Sequence, residues 1–399
     1  MTVVEHVGVR WRRVYGLAAT HSANDLYQGA IPALLPFFVL ERGYSYAAVT
    51  GITLAATFIS SLAQPAFGMM SDRRNMSMLA PVGLILAGIG VGLAGLGDSY
   101  VFTWIAIALS GLGVAAFHPE ASRAARNAGA GAARTMSIFA LGGSIGFALA
   151  PIFVTPIIDT GGLAATPYLA IPALVVGLLF VVVLRGDRRT ARAPKKIEAD
   201  RPDDWRSFRW LTAVVICRSI AFFTVSSLIA LYFTGPLGGS QLSGATALTL
   251  FLVIGAVGTL VGGFIADRIG RVVTSRIGFA AAIPGFVVLL LAPSPAVAYA
   301  GVVLLAVGLY LPFSVMVSMG QEYLPGRVGL ASGVTLGLAV SVGGIFAPVF
   351  GILADRADLT TSFAVLAIFP VAALAIMTRL RDVHPARPAG RHMSRSTSV

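Results

Sequence analysis

Two stretches of this chain, Gly68-Met-Met-Ser-Asp72-Arg73-Arg74-Asn75 and Gly263-Phe-Ile-Ala-Asp267-Arg268-Ile-Gly270-Arg271, are one motif written twice, about 195 residues apart. Each copy follows the second long apolar segment of its half and precedes the third. A carboxylate at the exit of an apolar helix faces the negative end of the helix dipole, so it calls for a compensating cation or another helix's N-terminus. Asn75 falls where Gly270 falls, and both residue types tolerate the left-handed backbone that ends a helix. Two copies at matched positions predict two matched partners and a duplicated helical bundle.

Composition decides the solvent of that bundle. Hydrophobic residues make up 56% of the chain and charged residues only 12%, with a mean hydropathy of +0.84. A core of 399 residues surrounded by water does not need so much apolar surface. A spanning helix takes about 20 apolar residues. The sequence predicts twelve, near 13–41, 46–70, 77–97, 101–121, 134–158, 166–185, 209–234, 243–266, 273–292, 296–319, 328–354 and 360–380. Runs this long leave no room for the alternating strands of an outer-membrane barrel. The expected fold class is an all-α membrane protein of twelve transmembrane helices in two six-helix pseudo-symmetric halves. Residues 1–185 form the N-terminal half, 186–208 a cytoplasmic linker, 209–380 the C-terminal half and 381–399 a disordered basic tail.

Lys and Arg mark the cytoplasmic side, because positive loops stay there. Of the 29 basic residues, Arg42 and Arg356 fall in outside loops and Arg218 within a helix, and the rest share one side. Both termini are therefore expected in the cytoplasm, with the chain in the inner (plasma) membrane of a bacterium. The net charge of +12 is mostly this bias, so no nucleic-acid partner is expected. The first span is too long for a cleaved signal, and more spans follow it. Cys217 is the only cysteine, which excludes disulfides and cysteine-cluster metal sites. The linker mixes Arg188, Arg189, Arg192, Lys195 and Lys196 with Asp187, Glu198, Asp200, Asp203 and Asp204, the pattern of a solvated connection.

Polar groups inside the spans carry the rest of the information, because each must be compensated in a medium without water. The first span holds His21-Ser-Ala-Asn24-Asp25-Leu-Tyr27-Gln28, with His21, Asp25 and Gln28 at i, i+4 and i+7 and Asn24 beside them. At 1.5 Å per residue, Asp25 is roughly 18 Å along a helix starting near Arg13, which is bilayer depth. An internal hydrogen-bond knot is one reading of this face. Four polar groups including a carboxylate more often line an aqueous cavity or a proton path. Asp25 and His21 are the expected proton-coupling residues, and Asn24, Tyr27 and Gln28 the expected cavity lining. Arg218 is the counterpart in the second half, at similar depth in the seventh span. It reads as a cavity cation that can pair with Asp25 in one state and with an anion in another. Snorkelling to the surface is the alternative.

The fourth span is expected to end in Phe117-His118-Pro119-Glu120-Ala-Ser-Arg123, near the cytoplasmic face. H-x-E alone supplies too few ligands at the wrong helical spacing for a metal, so neither metal nor cofactor is expected. Pro119 can kink the helix, and Glu120 can pair with Arg123 at i, i+3 and exchange with the Asp72-Arg73-Arg74 loop. With His118, these residues form an expected cytoplasmic gate. Glu322 and Arg327 are assigned the same part beside Asp267-Arg268, with simple surface pairs as the alternative. Leu141-Gly142-Gly143-Ser144-Ile145-Gly146 to Pro151, and Val342-Gly343-Gly344 to Pro348 and Gly351, read as hinge and packing elements.

The paired G-x-x-x-D-R loops and the six-plus-six arrangement resemble the major facilitator superfamily across nearly the whole chain. Within it, His21-Ser-Ala-Asn24-Asp25 together with Phe117-His118-Pro119-Glu120-Ala-Ser-Arg123 is similar to the fosmidomycin resistance protein group of drug exporters. The resemblance implies a proton-coupled antiporter that exports a small antibiotic from the cytoplasm, and an anionic phosphonate would suit a cavity cation at Arg218. Two features depart from the pattern. The first loop lacks the closing Gly-Arg that the second has as Gly270-Arg271, and the fifth span carries a degenerate form of the antiporter glycine-proline motif. The expected mechanism is alternating access by rocking of the two halves, with a small-molecule substrate, protons and the lipid bilayer as partners and a monomer as the working unit. Proton-driven uptake of an organic anion is the runner-up. A membrane-embedded enzyme is weaker, because neither His21 nor His118 sits beside a Ser or Cys in a recognisable nucleophile motif.

Overall fold

The computed structural model describes residues 9–73, 76–129, 133–184 and 201–383 of the chain. Every regular element among them is helical. The first half consists of α1 (Trp11–Arg42), α2 (Tyr46–Arg73), α3 (Leu79–Leu93), α4 (Tyr100–Ala128), α5 (Ala133–Gly161) and α6 (Ile171–Leu184), the last entered through a 3-10 segment over Leu163–Ala170. The second begins with α7 (Trp205–Thr234), α8 (Gln241–Ile269), α9 (Arg271–Leu291) and α10 (Pro295–Tyr323). Its eleventh span is composite: α11 (Val328–Ser332), a π-helical segment (Gly333–Leu338) and α12 (Ala339–Arg356). The twelfth joins α13 (Leu359–Leu366) to α14 (Ile368–Met377). Ten of these spans are long and apolar enough to cross a membrane; the polar-faced α1 and the short α3 complete the twelve. Leu242, Phe264 and Leu291 are 70%, 70% and 77% exposed on the outer surface, which suits lipid and would be an aggregation hazard in water.

Local chemistry sets the helix boundaries. Ser99, Asp204, Ser240 and Asp358 cap α4, α7, α8 and α13, each side chain accepting a backbone N–H three residues on. The Asp204 cap starts α7 at Trp205, so the second half begins before the apolar run at 209. The rest of the expected linker and most of the tail, 185–200 and 384–399, lie outside the described residues, as does Asn75. Gly270, at φ 95°, lets α8 turn directly into α9, whose first N–H groups at Arg271 and Val272 are accepted by the Asp382 carboxylate.

The duplication expected from the paired motif is visible in the packing. In the first half α1 lies against α5, α2 and α3 against α4, and α3 against α6. In the second, α7 lies against α12, α8 and α9 against α10, and α9 against α14, the same pairs shifted by six spans. Across the halves the main contacts are α2 with α12 and α5 with α8, again related by the repeat.

These cross-half contacts are concentrated away from the face that carries the Gly68 and Gly263 turns. At the far face the Asp355 carboxylate of α12 accepts from the Tyr46 and Ala47 N–H groups at 2.7 and 2.8 Å, capping the start of α2 from the other half. Such a cap contributes about 1 kcal/mol. A Cβ on Gly351 would come within 2.3 Å of Thr50 Oγ1, and one on Gly344 within 2.1 Å of Thr57 Oγ1. Farther along the same span, a Cβ on Gly337, Gly333 or Gly329 would meet nothing within 4 Å. The buried hydrophobic positions of α2, Val49, Ile52, Ala55 and Ala56, likewise lie in its first half. The two halves close at the far face and part toward the motif face.

Candidate functional site

One turn of α1 gathers a cluster of hydrogen-bonding groups around Asp25. His21, Asp25 and Gln28 share a helix face, as their spacing requires. Asp25 Oδ1 accepts from Asn24 Nδ2 at 3.0 Å and from Gln28 Nε2 at 3.1 Å, while Oδ2 lies 3.2 Å from His21 Nε2. The fourth helix adds His118, whose Nε2 is 3.3 Å from Asp25 Oδ1 and 3.4 Å from His21 Nε2. Both imidazoles are anchored from behind. His21 Nδ1 donates to the Phe139 carbonyl of α5 and His118 Nδ1 to the Val114 carbonyl of α4, each at 2.8 Å. The Phe139 ring stacks on His21 at 4.2 Å between centroids. Gly143 of α5 lets that helix close over the cluster, since a Cβ there would fall 2.5 Å from Asp25 Oδ2 and 2.7 Å from the His21 ring.

The structure corrects the expected place of His118. The fourth span does not end at Arg123 but runs to Ala128, because the alanine-rich segment after Pro119 continues the helix. Measured from the far face, His118 is roughly 27 Å down α4 and Asp25 roughly 26 Å down α1, so the two meet at one level. His118 therefore stands beside Asp25, apart from Glu120. The ligating atoms of His21, Asp25 and His118 lie within 4.8 Å of one another. No fourth His, Cys, Asp or Glu joins that group among the described residues, one short of a closed tetrahedral zinc site.

Arg218 occupies the equivalent turn of α7, roughly 24 Å from the far face. It is 5% exposed, and no carboxylate among the described residues pairs with it. Its Nε donates to the Leu309 carbonyl at 2.5 Å. The guanidinium is otherwise surrounded by rings, 4.5 Å from Phe313, 5.1 Å from Phe222 and 6.0 Å from Tyr310. Cation–π contacts contribute up to about 2 kcal/mol each, against a desolvation cost of several kcal/mol for a buried ion. The anticipated pairing with Asp25 is not made in this structure.

Between the halves lies a cavity. Its walls are apolar with scattered hydroxyls: Thr53, Thr57, Ser60, Ser110, Ser226 and Ser227 interrupt a lining that includes Phe147, Phe222 and Phe223. Ser227 donates to Thr53 across the halves at 3.2 Å. Of the four expected lining residues only Gln28 borders this space. Asn24 is turned to Asp25, and Arg218 lies behind Phe222, which lines the cavity and also packs on the guanidinium. Tyr27 points the other way. Its hydroxyl donates to the Leu169 carbonyl at 2.9 Å and accepts the Ala173 N–H at 2.8 Å, joining α1 to the start of α6. A two-residue step from Asp25 turns the side chain by about 200° around the helix, so adjacency in sequence was the wrong guide.

At the motif face, Glu120 and Arg123 pair at 3.2 Å, and both engage Ser71 at the end of α2: its hydroxyl donates to Glu120, and its carbonyl accepts from Arg123. Their tie is thus to the residue preceding Asp72; the Asp72 and Arg73 side chains lie outside the described ones. Glu322 pairs with Arg271 at 2.9 Å, and Arg327 with Asp203 at 3.3 Å at the start of α7. Asp267 and Arg268 are exposed. Arg271, the closing residue of the second motif copy, takes Glu322. The Asp355 cap at the opposite face had one sequence signal, an acidic residue at the end of an apolar span.

The comparisons with known proteins agree with this architecture. A model of the Major Facilitator Superfamily matches residues 17–348. The Fosmidomycin resistance protein of Escherichia coli (strain K12) is 30% identical over 369 residues, covering 89% of each chain. The MFS-type transporter YfnC of Bacillus subtilis (strain 168) is 31% identical over 366 residues, covering 88% of each. Among solved structures, a bacterial homologue of the human lysosomal transporter Spinster in its inward-facing, unoccupied conformation superposes with a TM-score of 0.78 at 16% identity, covering 92% of this chain and 96% of that one. The same homologue in its inward-facing, occupied conformation gives 0.77. With two repeated halves around a central cavity, and a family model and relatives that extend across both, the chain belongs to the major facilitator superfamily and is a transporter.

Proposed function

We propose that the chain is a proton-coupled antiporter of the bacterial inner membrane, with both termini in the cytoplasm, that exports a small anionic drug-like compound. The observation that carries this reading is the pair of unlike sites at one depth: a carboxylate among two imidazoles in the first half and a buried, carboxylate-free guanidinium in the second. Intramembrane ionisable groups are costly and mark ion or substrate paths. Asp25, His21 and His118 form the proton site. Arg218 receives the anionic group of the substrate once Phe222 has turned aside, and the cavity hydroxyls with Gln28 bind the remainder. The relationship to the fosmidomycin resistance protein supports an anionic substrate, since fosmidomycin is a phosphonate.

Alternating access here means exchanging the closed far face for a closed motif face. The Asp355 cap holds the former, and Glu120, Arg123, Glu322, Arg271 and the two motif loops organise the latter. The six-span halves, α1 to α6 and α7 to α14, are the moving bodies, and a monomer suffices for the cycle. Inverted membrane vesicles with an imposed proton gradient test the proposal. Labelled fosmidomycin should accumulate inside them when the lumen is acidic. Accumulation with the gradient reversed would instead identify a proton symporter. A reporter fused at the C-terminus should be cytoplasmic and one inserted near Gly239 external.

A further inference from the structure

We infer that the exchangeable proton of this site is carried on Nε2 of His118, with Asp25 as its permanently ionised counter-charge. The inference rests on the proton-coupled reading above and assigns the proton to a different residue from the carboxylate the sequence suggests. It follows from counting hydrogens. A backbone carbonyl only accepts, so the bonds to Phe139 and Val114 place a hydrogen on Nδ1 of both His21 and His118. In their neutral forms both rings then present a bare lone pair at Nε2. Those two lone pairs and the Asp25 carboxylate converge at 3.2, 3.3 and 3.4 Å, hydrogen-bonding distances with no hydrogen to occupy them. The cluster has to hold at least one extra proton.

Where it sits is decided at Asp25 Oδ1. That oxygen already accepts N–H groups from Asn24 and Gln28, so it acts as an acceptor. His118 Nε2 faces the same oxygen at 3.3 Å and must be the donor. A proton on the other carboxylate oxygen would bridge Oδ2 to His21 but would leave the His118 contact as lone pair against lone pair. A proton on His118 fills its contact with Oδ1 and its 3.4 Å approach to His21 Nε2, leaving one contact without a hydrogen, His21 to Oδ2, where the protonated carboxyl leaves two, and the imidazolium and carboxylate together carry no net charge. His118 is also the most exposed of the three side chains, at 21% against 14% for Asp25 and 9% for His21, so water reaches it first.

Few other charges interfere. On α5 the only titratable side chain described is Asp159, near the far face, and α3 has none. Glu120 and Arg123, the next charges on α4, are engaged with each other and Ser71, and Arg218 of α7 is enclosed by its rings. Loss of the proton to water leaves Asp25 confronting two lone pairs, which gives α1 and α4 a reason to rearrange. The Nε2–H bond breaks with its electron pair staying on nitrogen, and the proton forms an O–H bond to a water molecule, leaving as hydronium.

The test uses the full-length protein in liposomes, with labelled fosmidomycin as the probe. His118→Gln should lower gradient-driven accumulation at least about tenfold and flatten its dependence between about pH 5 and about pH 8. Asp25→Asn should keep a pH dependence, displaced to lower pH because the counter-charge is gone. A steep profile in His118→Gln with a flat one in Asp25→Asn would overturn the assignment while leaving proton coupling intact. A flat profile in the unmodified protein would overturn proton coupling itself, and the assignment with it. Infrared difference spectra of the unmodified protein between acid and base need no variant to fold. Imidazolium bands without a protonated-carboxyl band support the assignment, and a carboxyl band abolished by Asp25→Asn overturns it.

Discussion

Helices α1 and α7 hold the same place in the two halves, reach the same depth and meet corresponding neighbours, yet their central turns are built in opposite ways. In α1 the charged group is an anion whose partners, Asn24, Gln28, His21 and His118, all belong to the same half. In α7 it is a cation enclosed by Phe222, Tyr310 and Phe313 with one carbonyl and, among the described residues, no anion. The two halves share their pattern of helix packing, while the central turns of α1 and α7 carry opposite charges. The difference teaches that the two sites are self-contained in this conformation. Their coupling, in the proposed mechanism, has to pass through movement of the halves, since their charges do not touch.

The largest expected effect breaks the α7 side of the comparison. Arg218→Ala should weaken binding of an anionic substrate by roughly 10- to 100-fold, the worth of a hydrogen bond to a charged group, with little effect on an uncharged analogue. Arg218→Lys should restore only part, because the planar fork is lost. Equilibrium binding of labelled fosmidomycin to detergent-solubilised protein measures both. Equal loss for charged and uncharged ligands would show that the arginine serves packing alone.

Additivity sharpens the comparison further. Sites without shared partners combine their mutational effects to within about 0.5 kcal/mol. Asp25→Asn and Arg218→Ala should therefore add in binding measurements made with the far face closed. A double variant that loses clearly less than the two single losses combined would establish that Asp25 and Arg218 meet in another conformation, as the sequence alone suggests.

The same comparison shows how far the sequence could be read. The twelve spans, the halves and the polar face of α1 follow from composition, one duplicated motif and the i, i+4, i+7 spacing of His21, Asp25 and Gln28. Phe222, four residues after Arg218, was a visible ring neighbour; Tyr310 and Phe313 were not, because α10 reaches them only through the fold. His118 was misplaced for a definite reason. Depth was measured toward an assumed end at Arg123, whereas Ala121, Ala124, Ala125 and Ala128 prolong the helix; counting from Tyr100 would have put His118 level with Asp25. Partners that depend on loop geometry, such as Glu322 with Arg271 and Asp355 with the start of α2, carry no periodicity to read.

A smaller effect is expected where the halves meet. Asp355→Ala removes the cap that α12 places on α2, worth about 1 kcal/mol, so the balance between the two access states should shift by about fivefold toward an opened far face. Cysteine accessibility at Thr53 and Ser227, with Thr53→Cys and Ser227→Cys in the Cys217→Ala background, reads that shift. Unchanged labelling from the far side would mean that the packing of α2 on α12 and of α5 on α8 holds the far face closed without the cap.

The smallest effect on transport belongs to the residue whose assignment changed most. Tyr27 lies two positions from Asp25, so a sequence reading counts it with the cavity, but its hydroxyl bridges the Leu169 carbonyl and the Ala173 N–H on the opposite side of α1. Tyr27→Phe keeps the ring and removes both hydrogen bonds, leaving a buried carbonyl and a buried N–H unpaired. That should cost about 1–3 kcal/mol of stability, seen as a lower midpoint in thermal unfolding of the solubilised protein. Because the hydroxyl borders neither the cavity nor the Asp25 cluster, substrate affinity and the pH dependence of transport should stay within about twofold of the unmodified protein. A changed affinity with unchanged stability would put Tyr27 back among the substrate-binding residues and would mean that α1 turns about its axis during the cycle.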